Sequence, residues 1–416
     1  MSVKLQQPVT GGGLQNTNFF NGRLVTGADM TREQTARREA VSRLGQAVGE
    51  GIAEGLRVKI VSSSESNPVV NITAGRAINR CGQVLCLYED TNVNLVERIG
   101  TVEQASNIFS RCPLSAVSGT YAAGFGLYLL VLSPITTAHG SAPTGGLKNT
   151  FAACSSDVIL EAVQFRLLPL DPFLANENLP GQNRLRNYIA YRCLGTPETQ
   201  QVYQNPYGFS LESYGLLDEM RDDTLSKNDV PLAIISWTGD GLEFVEMWAV
   251  RRRVTKINDA KDWTQIFSDR RLSETEAMIQ QFAEHIAGEQ PEKNDFRDVA
   301  AADFFYYLPP AGILPLAIAG TQAGFNIESF FGDKLLEDVA MLDGDSLQPL
   351  LREALTHEPI DLAADEKIQV YIVRENFLAA QAGQVKQLTA VFAKRNLPYY
   401  GTARFNWANW NLSRFV

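Results

Sequence analysis

At 416 residues the chain can bury a large core, and its length fits roughly two or three domains. A net charge of -10 argues against the broad basic footprint that phosphate backbones require, so nucleic acid is not an expected partner. With 45% hydrophobic and 20% charged residues the composition is that of a packed protein, which excludes the collagen-like and intrinsically disordered classes.

Residues 1–17 carry Gly11-Gly12-Gly13 and two glutamine-rich patches, too little apolar surface to fold alone, and read as an arm with a hinge. The arm joins the stretch NFFNGRLVTGADMTREQ, residues 18–34. Phe19 and Phe20 cannot both enter one small core unless the chain bends, and Asn21-Gly22 is a turn dipeptide that supplies the bend. A helix is expected from about residue 28 to 48. Thr26 or Asp29 would cap it, with Glu33 or Gln34 returning a bond, and Met30, Val41, Leu44 and Val48 would form an apolar stripe interrupted by Gln34 and Arg37. Glycines 45, 49, 51 and 55 then loosen the chain.

Strands are expected over residues 56–61, 69–78 and 83–88, joined by glycine-bearing turns that favour antiparallel pairing. The apolar run 121–132 and the alternating segment 158–168 would pair across a loop holding His139. Residues 179–194 include a helix, whereas 197–229 read as irregular. The segments 230–237 and 242–250 flank Thr238-Gly239-Asp240-Gly241, the clearest hairpin signal in the chain. A second long helix spans 263–287, with a break near Arg271 and Ser273 as an internal cap. Residues 304–315, FFYYLPPAGILP, read as a proline-rich bend that cannot be a central strand. A helix at 347–355 and strands at 368–373 and 387–392 follow. The expected fold is α+β and sheet-rich: antiparallel β modules, two long helices and a separate C-terminal β-rich module. The corresponding boundaries are 1–55 for the arm and helix, 56–254 for the β-rich domain, 255–297 for a helical connector and 298–416 for the last module.

The residues that carry chemistry are sparse. Cys81, Cys86, Cys112, Cys154 and Cys193 form no CxxC pair and read as buried thiols rather than a disulfide or zinc framework. His139, His285 and His357 are far apart and outside any HExxH pattern, and no nucleophile elbow, dinucleotide fingerprint or P-loop is present. Asp343-Gly344-Asp345 resembles the start of a calcium loop, but Ala354 stands where the closing glutamate belongs. The carboxylate pairs Glu243/Glu246 and Glu358/Asp361 have the chemistry for glycoside hydrolysis, although such pairs are commonplace. Arg251, Arg252 and Arg253 read as a strand end with solvated or acid-paired charges. Neither a catalytic set, a cofactor nor a metal is therefore expected. No apolar segment approaches the ~18 residues of a membrane span, and no secretory signal is visible, so cytoplasmic synthesis is expected and any membrane contact would be indirect.

Four stretches resemble a family encoded in the gene clusters of contractile injection systems, the phage-tail-like particles of bacteria. NFFNGRLVTGADMTREQ is similar to its aromatic-glycine-arginine entry into a helix. GLRVKIV with ITAGRAINRCGQVL, then VPLAIISWTGDGLEFVEMWAVRRRV and FFYYLPPAGILPL, are similar to the rest of its pattern. The resemblance spans residues 18–315 and implies a non-enzymatic structural subunit in or near the baseplate, a crown-like or anchoring part present in several copies. The implied partners are copies of itself in a trimer or ring and other particle proteins, with the particle free in the cytoplasm or docked on a cytoplasmic or thylakoid membrane.

Under that reading Phe19, Phe20 and Arg23 are docking anchors, and Trp407 and Trp410 in FNWANWNL pin the C-terminal segment to its own module or to a neighbour. The alternative is a carbohydrate-binding or carbohydrate-degrading accessory of such a particle, with the two tryptophans stacking on sugar faces. The two phenylalanines have an ordinary alternative as well, stapling the helix to the chain's own first sheet.

Overall fold

The computed structural model describes residues 10–64, 68–95, 126–140, 142–143, 154–155, 157–205, 214–221, 224–256, 269–291, 293–317, 323–336, 339–385, 387–395 and 397. The first helix, α1 (Gly27–Val48), begins where the Thr26 hydroxyl accepts from the Asp29 amide and the Asp29 carboxylate accepts from the Thr26 amide. This reciprocal cap satisfies two donors that a helix start leaves open. Glu33 and Gln34 are not the returning partners, because with Thr26 as the cap the third helical position already falls on Asp29.

The glycines after α1 do not loosen the chain; they let backbones approach. Gly51 and Gly55 bound a strand, β1 (Gly51–Gly55), and have φ of 137° and 61°, which disfavour any side chain. β1 pairs with β4 (Gly75–Ile78), which pairs with β5 (Val84–Leu87). A second small sheet joins β2 (Val58–Ser62), β3 (Val69–Ile72) and β6 (Thr91–Asn94). The expected strand 69–78 is thus two strands in different sheets, parted at Thr73 and Ala74.

The longest strands form the next sheet. β7 (Gly126–His139) pairs from Tyr128 to His139 with β8 (Val158–Pro169) and on its other side with β9 (Val230–Thr238), which turns into β10 (Gly241–Glu246). His139 closes β7 rather than lying in a loop. The apolar run of β7 splits by period two: Leu127, Leu129 and Val131 enter one core cluster, while Leu130 and Leu132 enter another. The sheet is therefore covered on both faces, by the two small sheets on one side and by helices on the other, which is why the run reads as continuously apolar.

Those helices include α2 (Gln182–Cys193) and α4 (Leu216–Arg221), and between them in the chain α3 (Thr196–Gln204) packs against α2. Two of the three, α3 and α4, lie in the segment expected to be irregular. Pro197 falls in the first turn of α3, where a missing N–H costs nothing, so a residue read as a breaker is a starter. α5 (Asp269–Gly288) runs unbroken through Arg271, and Ser273 donates to the Arg270 carbonyl at 2.7 Å instead of capping.

The C-terminal sheet has the order β11-β13-β12-β16-β15-β14, made of β11 (Asp295–Phe296), β12 (Ala311–Leu316), β13 (Gly324–Phe325), β14 (Ala340–Leu342), β15 (Ile368–Val373) and β16 (Leu388–Lys394). β12, β16 and β15 are antiparallel, and the outer strands add in parallel. β12 contains Pro315 and is nevertheless an inner strand. β13 meets it only at Leu316, so Pro315 lies where one side of the strand has no ladder to interrupt.

α5 joins the two halves of the chain. Ala277 and Met278 belong to the cluster beneath the four-stranded sheet, and Phe282 and Ile286 to the aromatic core of the C-terminal module. Around that apolar seam Arg271 donates to the Leu194 carbonyl at 3.1 Å and to Glu358 at 3.0 Å. Asn187 accepts from the amides of Tyr306 and Tyr307 and donates to the Tyr307 carbonyl. These bonds satisfy backbone groups that burial would otherwise leave unpaired.

Candidate interaction surface

The arm turns back on itself at Asn21-Gly22, where the Arg23 amide donates to the Phe20 carbonyl at 3.1 Å and Gly22 takes φ 89°. Arg23 then holds the bend together. Its guanidinium donates to the Asn18 carbonyl at 2.8 Å, pairs with the Asp29 carboxylate and lies 5.9 Å from the centre of the Phe20 ring. Asp29 is held at a pKa of about 2, first by the Thr26 hydroxyl, then by the Thr26 amide and Arg23. Thr17 ties the arm to the helix, donating from its hydroxyl to the Asp29 carbonyl and from its amide to Glu33.

This framework presents apolar side chains outward. Phe19 and Phe20 are 52% and 62% exposed, and Leu24 is 89% exposed. None of the three belongs to a hydrophobic cluster of the chain. Leu24 and Val25 were not singled out by sequence; the signal for them is that they follow a turn and precede a cap, where no core lies within reach. Trp407 and Trp410 lie outside the described residues.

α1 rests on the body chiefly through its C-terminal half. A Cβ on Gly45 would come within 2.1 Å of the Gly82 carbonyl oxygen, so helix and turn meet backbone to backbone. Gln46 donates to the Cys81 carbonyl, and Arg38 reaches Glu161 of β8 at 3.3 Å. Ala36 and Gly45 are buried, whereas Met30, Val41, Leu44 and Val48 are each more than half exposed, so the stripe that sequence reads as amphipathic faces away from the chain's own cores. Between arm and helix runs an open groove lined by Gly12, Gln15, Arg32, Arg38, Glu39 and Arg43.

The arginine triplet is neither a phosphate site nor a solvated run. Arg251 donates to the carbonyls of Gly55 and Leu56, Arg252 to those of Trp248, Ala249 and Arg251, and only Arg253 pairs with an acid, Glu276 at 3.4 Å. Burial holds Arg251 and Arg252 at about 10. Of the thiols, Cys193 is buried but Cys81 and Cys86 are only half-buried, Cys81 lying in a turn rather than a strand. Asp343 precedes the helix Gly344–Ala354 and its carboxylate pairs with Arg374 at 2.8 Å, and among the described residues no group of three or more His, Cys, Asp or Glu is placed to hold a metal. A cavity of about 60 Å³ beside Cys193, Arg80 and Arg252 has room for water but not for a substrate.

No family model matches the sequence, and the comparison with curated proteins returns no match. Among solved structures the chain is similar to one titled "Crystal structure of TssK", at 7% identity and a TM-score of 0.28, over 67% of this chain and 49% of that one. The chain thus spans about half the length of that protein.

Proposed function

We propose that the chain is a non-enzymatic structural subunit of a contractile injection system, seated in or on the baseplate. Its N-terminal hook docks into a neighbouring particle protein, and copies of the chain associate; any membrane docking runs through those partners. The observation that carries this reading is the hook itself: Phe19, Phe20 and Leu24 stand in solvent on a bend that Arg23, Thr26 and Asp29 hold in one shape. A preorganised aromatic-arginine patch is what interface hot spots are made of, because little entropy is lost when it docks.

The four stretches that resemble the injection-system family support the same reading. So does the placement of the perturbed carboxylates. Burial raises Glu246 and Glu198, yet Arg186 donates to the first at 2.6 Å and Arg192 to the second at 2.7 Å, inside the packed interior. Groups so paired serve structure rather than proton transfer in a cleft.

Deleting residues 1–25 tests the proposal. The truncated chain should melt within a degree or two of the full chain, since the side chains of residues 10–25 are largely exposed, and should be missing from purified particles. Normal incorporation of the truncated chain overturns the reading.

A further inference from the structure

The exposed stripe of α1 has a regular spacing. Met30, Gln34, Arg37, Val41, Leu44 and Val48 follow one another at intervals of four and three residues, and all six are exposed. Other faces of the helix are occupied: Ser42, Gly45 and Gln46 meet the Cys81-Gly82 turn, and Asp29 and Glu33 meet Thr17 of the arm. Alternation of four and three is the seam of a coiled coil, which places Gln34, Val41 and Val48 at a positions and Met30, Arg37 and Leu44 at d positions. A face that packed on a globular core would be wider and would include flanking apolar residues. Here the flanks are Thr31, Glu33, Arg38 and Gly45, and the apolar residues beside them, Ala40 and Ala47, carry a single methyl each.

We infer that this seam binds the α1 helix of a second copy of the chain, in parallel and in register. Three features on the helix select that occupant. In a parallel pair the g residue of one helix faces the e residue five positions later on its partner, and those residues are Glu33 and Arg38, of opposite charge. Both copies make the pair, so two such bridges flank the seam. Both residues already have partners within the chain. One Glu33 oxygen accepts from the Thr17 amide at 3.3 Å, which leaves its other oxygen for the bridge. Arg38 pairs with Glu161 at the surface, with side chains 65% and 69% exposed, a kind of contact that holds too weakly to compete with assembly. Valine at a with leucine at d favours two strands over three, and polar Gln34 at an a position fixes register at some cost in stability.

Arg37 is the discordant residue. It sits four residues after Glu33, which can neutralise it along the helix, and its stem can lie on the seam while the guanidinium turns outward. Two facing Arg37 residues still weaken the contact. The dimer is accordingly reversible, as a building contact consolidated within a larger assembly would be.

The inference deepens the reading of the chain as an assembly subunit by naming the surface through which copies meet. Its test is the mass of the purified full-length chain by light scattering over a concentration series. The wild type should shift toward twice the mass of one chain as concentration rises, and Val41→Glu with Leu44→Glu should remain monomeric with an unchanged melting temperature. Arg37→Leu should tighten association by about tenfold, equivalent to ~1.4 kcal/mol. Val41→Cys should form a 41–41 disulfide between copies on mild oxidation, identified by peptide mapping, which antiparallel packing would not allow because an a position then faces a d position and not its own counterpart. A wild type that is monomeric throughout, an oligomer that the glutamate pair leaves intact, or absence of the 41–41 link overturns the inference. Incorporation into particles is scored separately for the same variants. A monomeric wild type that still incorporates removes the α1 dimer and leaves the assembly reading standing, whereas a dimer that never incorporates does the reverse.

Discussion

Asp29 does three things with one carboxylate: it closes the cap of α1, anchors Arg23 and so fixes the bend that presents Phe19 and Phe20. Its folded pKa of about 2 lies below the ordinary 3.8, so its contribution is complete above about pH 4 and is lost as pH falls through the folded value. Pepsin cleavage near Phe19-Phe20 should therefore increase between pH 4 and 2, and in Asp29→Asn it should already be high at pH 4. Resistance of that variant would show that the bend does not depend on the charge. His285 illustrates the opposite environment. It is buried against Phe304 and Phe305, and burial, with Arg186 nearby, lowers it from 6.5 to about 3. The folded state holds it neutral while the unfolded chain protonates, so stability is full above about pH 6.5 and falls as pH drops toward 3, at up to about 1.4 kcal/mol per pH unit. Urea unfolding of His285→Phe at pH 7 and pH 5 should show a smaller acid loss than the wild type; equal losses would refute the assignment.

Among the elements, α1 is held to the body by close backbone approach rather than by an apolar face. Gly82 has φ 75°, and a Cβ there would fall 1.9 Å from the Ser42 carbonyl oxygen. Gly82→Val should therefore lift the C-terminal half of α1 off the β4–β5 turn. The expected readout is faster hydrogen exchange of the amides at 42–48, with the four-stranded sheet unchanged; wild-type protection at those amides would contradict it. Reading such a contact from sequence is difficult because the signal is the absence of a side chain. The same holds for Gly51 and Gly55, which look like breakers and are the condition for β1 to lie against its neighbours. Pro197 and Pro315 mislead in a related way, since a proline's effect depends on whether its amide had a partner to lose.

For the molecule as a whole, α5 is the element on which the two halves agree, with apolar residues given to both cores and Arg271 bridging Leu194 and Glu358. Arg271→Met removes a buried cation: Glu274 keeps its pair with Arg270, whereas Glu358 loses its guanidinium partner and retains the Tyr203 hydroxyl. Such a loss costs about 3–5 kcal/mol, more than exposed pairs such as Arg297–Asp295 contribute. Urea unfolding should show the midpoint falling accordingly, with the C-terminal module losing protection first. A change below about 1 kcal/mol would mean that the apolar seam alone joins the halves.

The sequence by itself determined what depends on short-range order. The α+β, sheet-rich class, the hairpin at Thr238-Gly239-Asp240-Gly241, the pairing of β7 with β8 and the helix after the aromatic bend follow from periodicity, turn residues and caps, which act within a few positions. Tertiary structure alone decided which way each stripe faces. The spacing of Met30, Val41, Leu44 and Val48 says that they share a side of a helix, but not whether a core of the same chain covers it. That depends on where Gly45 and Gly82 bring the backbone together, thirty-seven residues apart in sequence and in contact only once the sheets have formed.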